Sequence, residues 1–352
     1  MDIPEKYYEG LWIYPIPKTL KGLLGVTLEL EEFFIRQAFI DSLMNESLMG
    51  LQAIPKSDLH NHAGRGGTIQ YIGKWANVNI QPPTEPFQSL HGMQNWFVEN
   101  VKRHCPGIQG YLKRIEASFV QAAEDHIEKL ALSFGLDEID ALGGMEPFSR
   151  IMNDFHRCYA PRMKFLPELA LDRACNVDEV YARLDDIFAY QWFRSIDICS
   201  DELAQPIACF KSIYRAANAA GLTLKAHVGE FGTADDVMEA VEELKLQEVH
   251  HGIAAARSPQ IMRWLSRNHI QLNVCPTSNI MLVVAESYGT HPIRSLYEYG
   301  VPVTINTDDL LIFNQSVSQE YMNLYKSGLM KPEELNEIRR TGLKDTMKSP
   351  SV

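Results

Sequence analysis

The chain has no excess of positive charge and no long hydrophobic run. Among its 352 residues, 45 Asp and Glu outnumber 33 Lys and Arg, and the formal net charge is −12. This balance argues against nucleic acid and anionic membranes as partners, because both bind basic surfaces. No apolar stretch approaches the length of a membrane span, and the first residues do not resemble a signal peptide. We therefore expect a cytoplasmic protein that does not cross a membrane.

Cysteine is scarce, and its spacing follows no known pattern. The six cysteines are neither closely paired nor arranged as in a zinc ribbon. A disulfide framework is therefore not expected, and we interpret these residues as reduced, mostly buried thiols. Repeats, low-complexity tracts and Pro/Gly/Ser linkers are also missing, so nothing divides the chain into several domains. The hydrophobic content of 45% is typical of a globular protein with a full core.

What the chain does contain, from residue 56 onward, is an alternation of short apolar runs and amphipathic helical stretches. In segments 235–244 and 258–268, apolar residues recur at intervals of three and four, which predicts helices. Strand–helix alternation with eight strands predicts a parallel sheet closed into an α/β (β/α)8 barrel, the TIM barrel. The predicted strands cover 57–63, 130–136, 163–170, 194–199, 222–228, 247–252, 270–275 and 301–307.

Residues 1–55 are predicted to form an N-terminal helical extension of the barrel, which itself spans 56–352. The extension contains an aromatic, proline-containing lead-in and a predicted helix over 28–51. We expect it to pack on the barrel and cover apolar surface; a role in dimer formation or as a lid over the site is the alternative.

Polar residues fall where the predicted strands end. That rim is where barrel enzymes build their active sites, and histidines scattered through a core would not follow strand ends so consistently. The residues in question are His62, Ser200, His227, His251, Ser278 and Asp308.

His60 and His62 begin this set at the end of the first predicted strand. Side chains two apart in a strand point to the same face, so both imidazoles can reach one metal ion. His227 and Asp308, at the ends of two other strands, would complete the site. Three imidazoles and a carboxylate suit zinc best among divalent ions and leave room for a water, whose pKa the metal would lower to about 7. The pattern predicts a hydrolytic centre with one divalent metal, expected to be Zn²⁺, per chain.

Acid–base candidates lie beside these predicted ligands. Glu230, in the turn after His227, could reach the site without binding the metal, which suits a general acid. His251 could take the proton of the water or hold the hydroxide, whereas His250 alternates to the opposite face and is interpreted as structural. Asp308 would also stabilise the attacking water.

Together these segments resemble the adenosine deaminase family of the amidohydrolase superfamily. The likeness extends from about residue 56 to residue 343, and the intervals from His227 to His251 and from His251 to Asp308 fit the family's spacing. It is strongest in the segments 225–232, 249–252, 274–279, 291–294 and 305–313.

This resemblance implies a barrel of the metal-dependent hydrolase type and a purine nucleoside or derivative as substrate. Hydroxide would add at C6 of an adenine ring, and ammonia would leave to give the 6-oxo purine. Glu230 would protonate N1, His251 would orient or deprotonate the water, and Asp309 would accept a hydrogen bond at N7. The zinc ligands implied are His60, His62, His227 and Asp308. The substrate contacts implied are His62, Gly64, Arg65, Ser200, Gly229 and Asp309.

Two positions depart from the family's pattern. After the His-x-His pair, members acting on adenosine usually have Leu-Asp-Gly, whose Asp holds the ribose, but here Gly64 occupies that place. Arg65 follows and could bind a phosphate or carboxylate of the substrate; it could equally be a surface arginine or pair with a nearby acid. Ser200 stands where the family usually has a glycine whose backbone contacts the ring. The substrate therefore stays open among adenosine, a 5′-modified adenosine, a nucleotide and an N6-substituted purine.

Two other functions compete with deamination. A two-metal amide or ester hydrolase usually needs a bridging carboxylated lysine at the end of the fourth strand, where segment 195–202 has none, and Lys225 would lie deeper in the barrel. A binding protein that has lost catalysis would normally lack a ligand or the proton donor, and all of these are present.

Overall fold

The computed structural model describes residues 28–344. Its centre is a sheet of eight parallel strands in which each strand pairs with the next along the chain. An isolated parallel bridge between Asn61 and Asp308 joins the chain after the first strand to the chain after the last. The strands are β1 Lys56–Asp58, β2 Ile127–Gly135, β3 Lys164–Asp172, β4 Ser195–Cys199, β5 Thr223–Val228, β6 Glu248–His251, β7 Gln271–Val274 and β8 Val303–Ile305. The predicted TIM barrel is confirmed.

Helices cover the outside of the barrel and its two ends. In order they are α1 Leu28–Met44, α2 Leu48–Gln52, α3 Ile69–Ala76, α4 Leu90–Asn100, α5 Gly107–Glu124, α6 Leu136–Ala141, α7 Met145–Tyr159, α8 Val177–Tyr181, α9 Leu184–Ala189, α10 Lys211–Ala219, α11 Ala234–Leu244, α12 Pro259–Arg267, α13 Pro276–Met281, α14 Ile293–Glu298, α15 Leu310–Phe313, α16 Val317–Lys326 and α17 Pro332–Leu343. Across 28–344, none of these helices combines the length and the apolar character that a membrane crossing requires.

Local sequence explains where the predicted helices begin. The Thr233 side chain accepts from the backbone N–H of Asp236, whose carboxylate accepts from the backbone N–H of Thr233, so a capping box opens α11. Ser258 caps α12, whose first residue is Pro259. These starts place the helices immediately after the loops that follow β5 and β6.

The N-terminal extension is described only from α1 onward, and residues 1–27 lie outside the described residues. Phe39 and Leu43 on α1 are fully buried. Arg339 of α17 donates to Glu32 at 3.2 Å, and its guanidinium lies 5.6 Å from the centre of the Phe39 ring. The described part thus packs on the barrel's last helix, while a domain boundary near residue 55 stays a prediction.

One long insertion separates β1 from β2. It contains α3, α4 and α5, whose apolar side chains form a second hydrophobic cluster with residues from the end of the chain. Met93 and Phe97 of this cluster also line the cavity at the carboxyl ends of the strands. The insertion therefore supplies one wall of the cavity.

The expectation for the cysteines is wrong in part. Cys105 and Cys275 are buried, but Cys158 and Cys209 are exposed. Composition gives the number of cysteines but not their positions, so it could not show that these two thiols lie at the surface.

Candidate active site

A cavity of about 460 Å³ opens at the carboxyl ends of the strands. Parallel strands bring their ends to one rim, so residues far apart in sequence meet there. The predicted site residues that line it are His62, Gly64, Arg65, Ser200, His227, Glu230, His251, Asp308 and Asp309. His60 lies deeper, with 1% of its surface exposed.

Four of these side chains, His60, His62, His227 and Asp308, are called the rim cluster below. The Nε2 atoms of His60 and His227 are 2.9 Å apart. Asp308 Oδ1 lies 3.5 Å from Nε2 of His60 and 3.2 Å from Nε2 of His62. The structure thus brings together all four predicted metal ligands.

Hydrogen bonds decide which ring nitrogens of the rim cluster carry protons. His227 Nδ1 lies 2.8 Å from Asp197 Oδ2, and His60 Nδ1 lies 3.3 Å from the backbone oxygen of Asn273. Both partners act as acceptors, so both Nδ1 atoms donate, and each Nε2 is left with a lone pair. Two lone pairs at 2.9 Å repel unless a cation attracts both, and an adjacent carboxylate adds negative charge. This donor set fits a divalent metal ion.

A compact group of possible ligand atoms includes one residue that we did not predict as a ligand. Ligand atoms of His60, His227, His251 and Asp308 all lie within 4.8 Å of one another, so His251 stands there in place of His62. His62 also has Ser133 Oγ 2.9 Å from its Nδ1. Both sets share three residues, and the assignment of His62 as the remaining ligand stays a prediction.

Glu230 lies in a turn held by a second carboxylate. The Glu202 side chain accepts hydrogen bonds from the backbone N–H groups of residues 229, 230, 231 and 232, at 2.5, 3.1, 2.8 and 3.2 Å. Burial, followed by the charges of Asp308 and Glu202, raises the pKa of Glu230 well above its usual range. The raised pKa favours the protonated form of Glu230, which is the form that a general acid requires.

His251 is held in its neutral form. Burial lowers the pKa of this imidazole well below its usual range. The amide nitrogen of Asn279 lies 3.0 Å from Nδ1 and donates to it, so Nε2 carries the ring proton. Nε2 points toward Glu230 Oε1 at 3.5 Å and Asp308 Oδ2 at 3.9 Å.

Asp309 and Arg65 form an ion pair. Nη1 of Arg65 lies 2.7 Å from Oδ2 of Asp309, and Nη2 lies 2.6 Å from Oε1 of Gln94. The guanidinium also stacks 4.8 Å from the centre of the Phe97 ring. Both terminal nitrogens of Arg65 thus have partners within the protein. Of the two expectations for Arg65, this agrees with pairing to a nearby acid and not with a free anion site.

Left-handed backbone turns several strand ends into the cavity. Ser200, His251 and Asp308 have φ values of 75°, 62° and 59°, which non-glycine residues rarely adopt, and Gly229 has 71°. His251 directly follows His250, yet both side chains lie inside the barrel, because the positive φ interrupts strand alternation. The expectation that His250 points to the opposite face is wrong for this reason: it contacts Glu168 at 3.1 Å beneath the rim.

His250 belongs to a second group of buried charges, called the interior cluster below. Nζ of Lys225 lies 2.9 Å from Glu168 and 3.4 Å from Glu248. Lys225 lies deeper than His227, as its position two residues earlier predicts, and it is committed to these carboxylates. A bridging lysine for a two-metal centre is therefore not formed by Lys225. The cluster consists of Glu168, Lys225, Glu248 and His250.

Sequence reasoning missed several residues that support the site. Asp197 orients His227, and Ser278, predicted only as a rim residue, donates to Asp308 Oδ2 at 2.7 Å. Glu202 stands in an acidic pair three residues after β4, and Gly232 leaves room for its carboxylate, because a Cβ atom at that position would lie 2.7 Å from Oε1 of Glu202. That combination of an acid after one strand and a glycine after the next was the available signal.

Comparisons with known proteins agree with this geometry. The chain is 29% identical over 286 residues to a provisionally named adenosine/adenine deaminase of Treponema pallidum, covering 81% of this chain and 96% of that protein. Its fold is similar to that of an adenine deaminase from Arthrobacter aurescens (TM-score 0.71, 20% identity, 84% and 94% covered). It is also similar to an Arabidopsis N6-mAMP deaminase (TM-score 0.70, 17% identity, 85% and 95% covered).

The sequence also matches the family described as adenosine deaminase over residues 162–350, which is more than half of the chain. That stretch contains His227, Glu230, His251 and Asp308, and the structure gathers all four around one cavity. The chain is therefore a divergent member of the adenosine deaminase family, a family of metal-dependent aminohydrolases.

Proposed function

We propose that this protein is a zinc-dependent deaminase of an adenine-type nucleoside, adenosine or a modified adenosine. Water and the substrate would give the 6-oxo purine and ammonia. One observation carries the proposal: two histidine lone pairs face each other beside Asp308, at the wall of a cavity that also holds Glu230, a buried carboxyl group with a raised pKa.

The rim cluster would hold the metal. Its imidazoles and carboxylate suit zinc, and their hydrogen bonds to Asp197 and Ser133 hold the rings of His227 and His62 in place. A divalent cation bound there supplies the Lewis acidity that makes water nucleophilic near neutral pH.

Glu230 would donate a proton to N1 of the ring. Its Oε1 atom is buried and makes no hydrogen bond within residues 28–344, so it is free to meet a ligand atom. Protonation at N1 draws electrons from C6 and makes that carbon more electrophilic. Because the raised pKa keeps Glu230 protonated, this donor is ready before the substrate arrives.

His251 would orient the attacking water. With Nδ1 occupied by Asn279, the neutral imidazole offers the Nε2 proton to the water oxygen. Asp308, whose Oδ2 also accepts from Ser278, would accept a proton of the same water. These two groups would direct a lone pair of the water toward C6.

Asp309 and Ser200 would position the ring. Oδ2 of Asp309 is paired with Arg65, whereas its buried Oδ1 has no partner in the described part of the chain. A ligand group that donates a hydrogen bond, such as a protonated ring nitrogen, would satisfy that oxygen. Ser200 lies at the cavity wall with its left-handed backbone facing the same space.

The experiment is a spectrophotometric screen of zinc-loaded protein with adenine, adenosine, 5′-modified adenosines, an N6-substituted adenosine and AMP. Conversion of an amino purine to an oxo purine changes the ultraviolet spectrum, and released ammonia can be measured independently. We expect one metal per chain and stoichiometric ammonia with the preferred nucleoside. Absence of ammonia from every compound would overturn the proposal, and two metals per chain would favour an amide or ester hydrolase.

A further inference from the structure

Gly64 lines the cavity and places no side chain in it. A Cβ atom built there would lie 3.4 Å from Cε2 of Tyr111 and 3.6 Å from Oε1 of Glu138. These are ordinary contact distances, so a methyl group fits but a longer side chain would meet Tyr111 and Glu138. The space in front of Gly64 is therefore occupied by a carboxyl group that comes from α6.

Glu138 is held with one oxygen anchored. Its Oε2 accepts from the backbone N–H of Gly135 at 2.8 Å, while Oε1 is the oxygen that faces Gly64. Burial, with a smaller contribution from the charge of Asp137, raises the pKa of Glu138 to about 7. The side chain is only partly covered, and it lines the cavity. Glu138 thus offers a fixed acceptor to whatever fills that space.

Tyr111 supplies a second polar atom at the same place. Its hydroxyl group is buried, and burial together with the charge and a hydrogen bond of Glu138 raises its pKa above the usual range. Tyr111 thus helps to orient the Glu138 carboxyl group, and a ligand that reaches Glu138 meets both side chains. Neither residue belongs to the catalytic set proposed above.

The charges around this wall disfavour an anionic ligand. Asp137 and Asp172 line the same cavity as Glu138. Of the cations that line the cavity, Arg65 is paired with Asp309, and Arg114 donates to the backbone oxygens of Gly64 and Cys105 at 3.0 and 3.1 Å. Lys102 also lines the cavity, but it is exposed, where solvent and salt screen its charge. A phosphate would meet carboxylates here, whereas a hydroxyl group would donate to them.

We propose that Glu138 is the specificity-determining residue of this cavity. Its carboxyl group accepts a hydrogen bond from an uncharged, hydroxyl-bearing substituent of the purine, and it discriminates against substrates that carry a phosphate there. This carboxyl group reaches the space in front of Gly64 from α6, the short helix after β2. This inference rests on the proposed deaminase function and specifies its substrate class.

The test compares kcat/KM for adenine, adenosine and AMP in the parent protein, Glu138→Gln and Asp137→Asn. The glutamine keeps an acceptor for Gly135 but removes the charge, and the neighbouring asparagine removes an equal charge without touching Gly64. We expect the parent protein to prefer adenosine to AMP. In Glu138→Gln the ratio of adenosine to AMP should fall by about tenfold or more, the effect of about one hydrogen bond to a charged group. Asp137→Asn should change that ratio less.

A second variant, Glu138→Asp, withdraws the carboxylate by one methylene and keeps its charge. It should lower kcat/KM for adenosine more than for adenine, and it should not improve AMP. Equal losses for all three substrates in both Glu138 variants, or a parent protein that prefers AMP, would overturn this inference while leaving the deaminase proposal intact. No activity of the parent protein on any purine would overturn the deaminase proposal and this inference with it.

Discussion

The interior cluster and most of the rim cluster are buried and rich in ionisable groups, yet the two differ in what compensates them; only His62 of the rim cluster is partly exposed. In the interior cluster, the Lys225 ammonium lies between two carboxylates and compensates their charge. In the rim cluster, burial lowers the pKa of His62, but the charges of Asp309 and Asp308 outweigh it and raise that pKa to about 9. The lone pairs of His60 and His227 nevertheless face each other with no lysine or arginine among the four members. A buried cluster whose charges compensate one another supports the fold. A buried cluster whose polar atoms lack partners indicates a site for a ligand or an ion.

The pKa values express the same difference. Burial opposes ionisation of Glu168, but the positive charge of Lys225 outweighs it and holds the pKa of Glu168 below its usual range. Glu230 has no such cation, and burial with neighbouring carboxylates drives its pKa in the opposite direction. Glu168 is therefore held as an anion inside the barrel, whereas the raised pKa of Glu230 at the barrel mouth favours its protonated form.

The sharpest test removes a member of the rim cluster. His227→Ala deletes one of the two facing lone pairs, so we expect the metal to be lost and activity to fall below detection. Metal analysis of the purified variant measures this directly. His269→Ala, which changes an exposed histidine, serves as the control and should keep both metal and activity. A full equivalent of zinc in His227→Ala would contradict the ligand assignment.

Glu230→Gln separates proton donation from metal binding. The substitution preserves size but removes the donated proton, so turnover should fall by at least about 100-fold while the metal stays bound. Steady-state kinetics together with metal analysis measure the two effects separately. The control is Glu239→Gln on the exposed side of α11, which should leave turnover and metal content unchanged. Near-normal turnover in Glu230→Gln would mean that another residue donates the proton.

Lys225→Met tests whether the interior cluster is structural. Loss of the ammonium leaves Glu168 and Glu248 as uncompensated buried carboxylates, so the free energy of unfolding should decrease by about 3–5 kcal/mol. Denaturant unfolding measures it, and folded protein should still bind metal. Lys211→Met breaks an exposed pair with Glu243 and should change stability by about 1 kcal/mol or less. Equal losses of unfolding free energy in Lys225→Met and Lys211→Met would contradict a structural role of the interior cluster.

Asp197→Asn should have the smallest effect of the four. Asp197 touches no ligand-binding atom of the rim cluster but fixes the ring of His227 through Nδ1. We expect metal affinity to weaken by about 10–100-fold, measured by competition with a chelator, with the fold intact. Asp201→Asn, an exposed neighbour, is the matched control. Unchanged affinity would mean that packing alone orients the imidazole.

Predictability from sequence differed between these two clusters. His227 is the last residue but one of an apolar strand and Asp308 lies shortly after another, so the rule that barrel sites lie at the carboxyl ends of strands was enough to group them. The interior cluster could not be predicted from the sequence. Alternation along a strand indicates which face of the sheet Glu168 and Glu248 occupy, but not which residues they contact. Whether a buried acid has a partner depends on residues from other strands, and no local pattern carries that information.

The insertion after β1 sets a second limit. The pairing of Arg65 with Asp309 and Gln94 depends on how α4 packs over the barrel, which no local pattern predicts. The same holds for Glu138, which reaches the space beside Gly64 from α6. Contacts between segments distant in sequence shape this wall of the cavity, and they arise only once the chain has folded.

The residues with left-handed backbone at the ends of β4, β6 and β8 link the conformational stability of the protein to the geometry of its site. Relaxing the backbone at His251 or Asp308, for example with glycine, would relieve about 1 kcal/mol or more of conformational strain. The same change would remove an imidazole or a carboxylate from the cavity, and an ideal strand end would aim the side chain elsewhere. Efforts to make this enzyme more heat-resistant should therefore leave these bends untouched and work on the opposite end of the barrel.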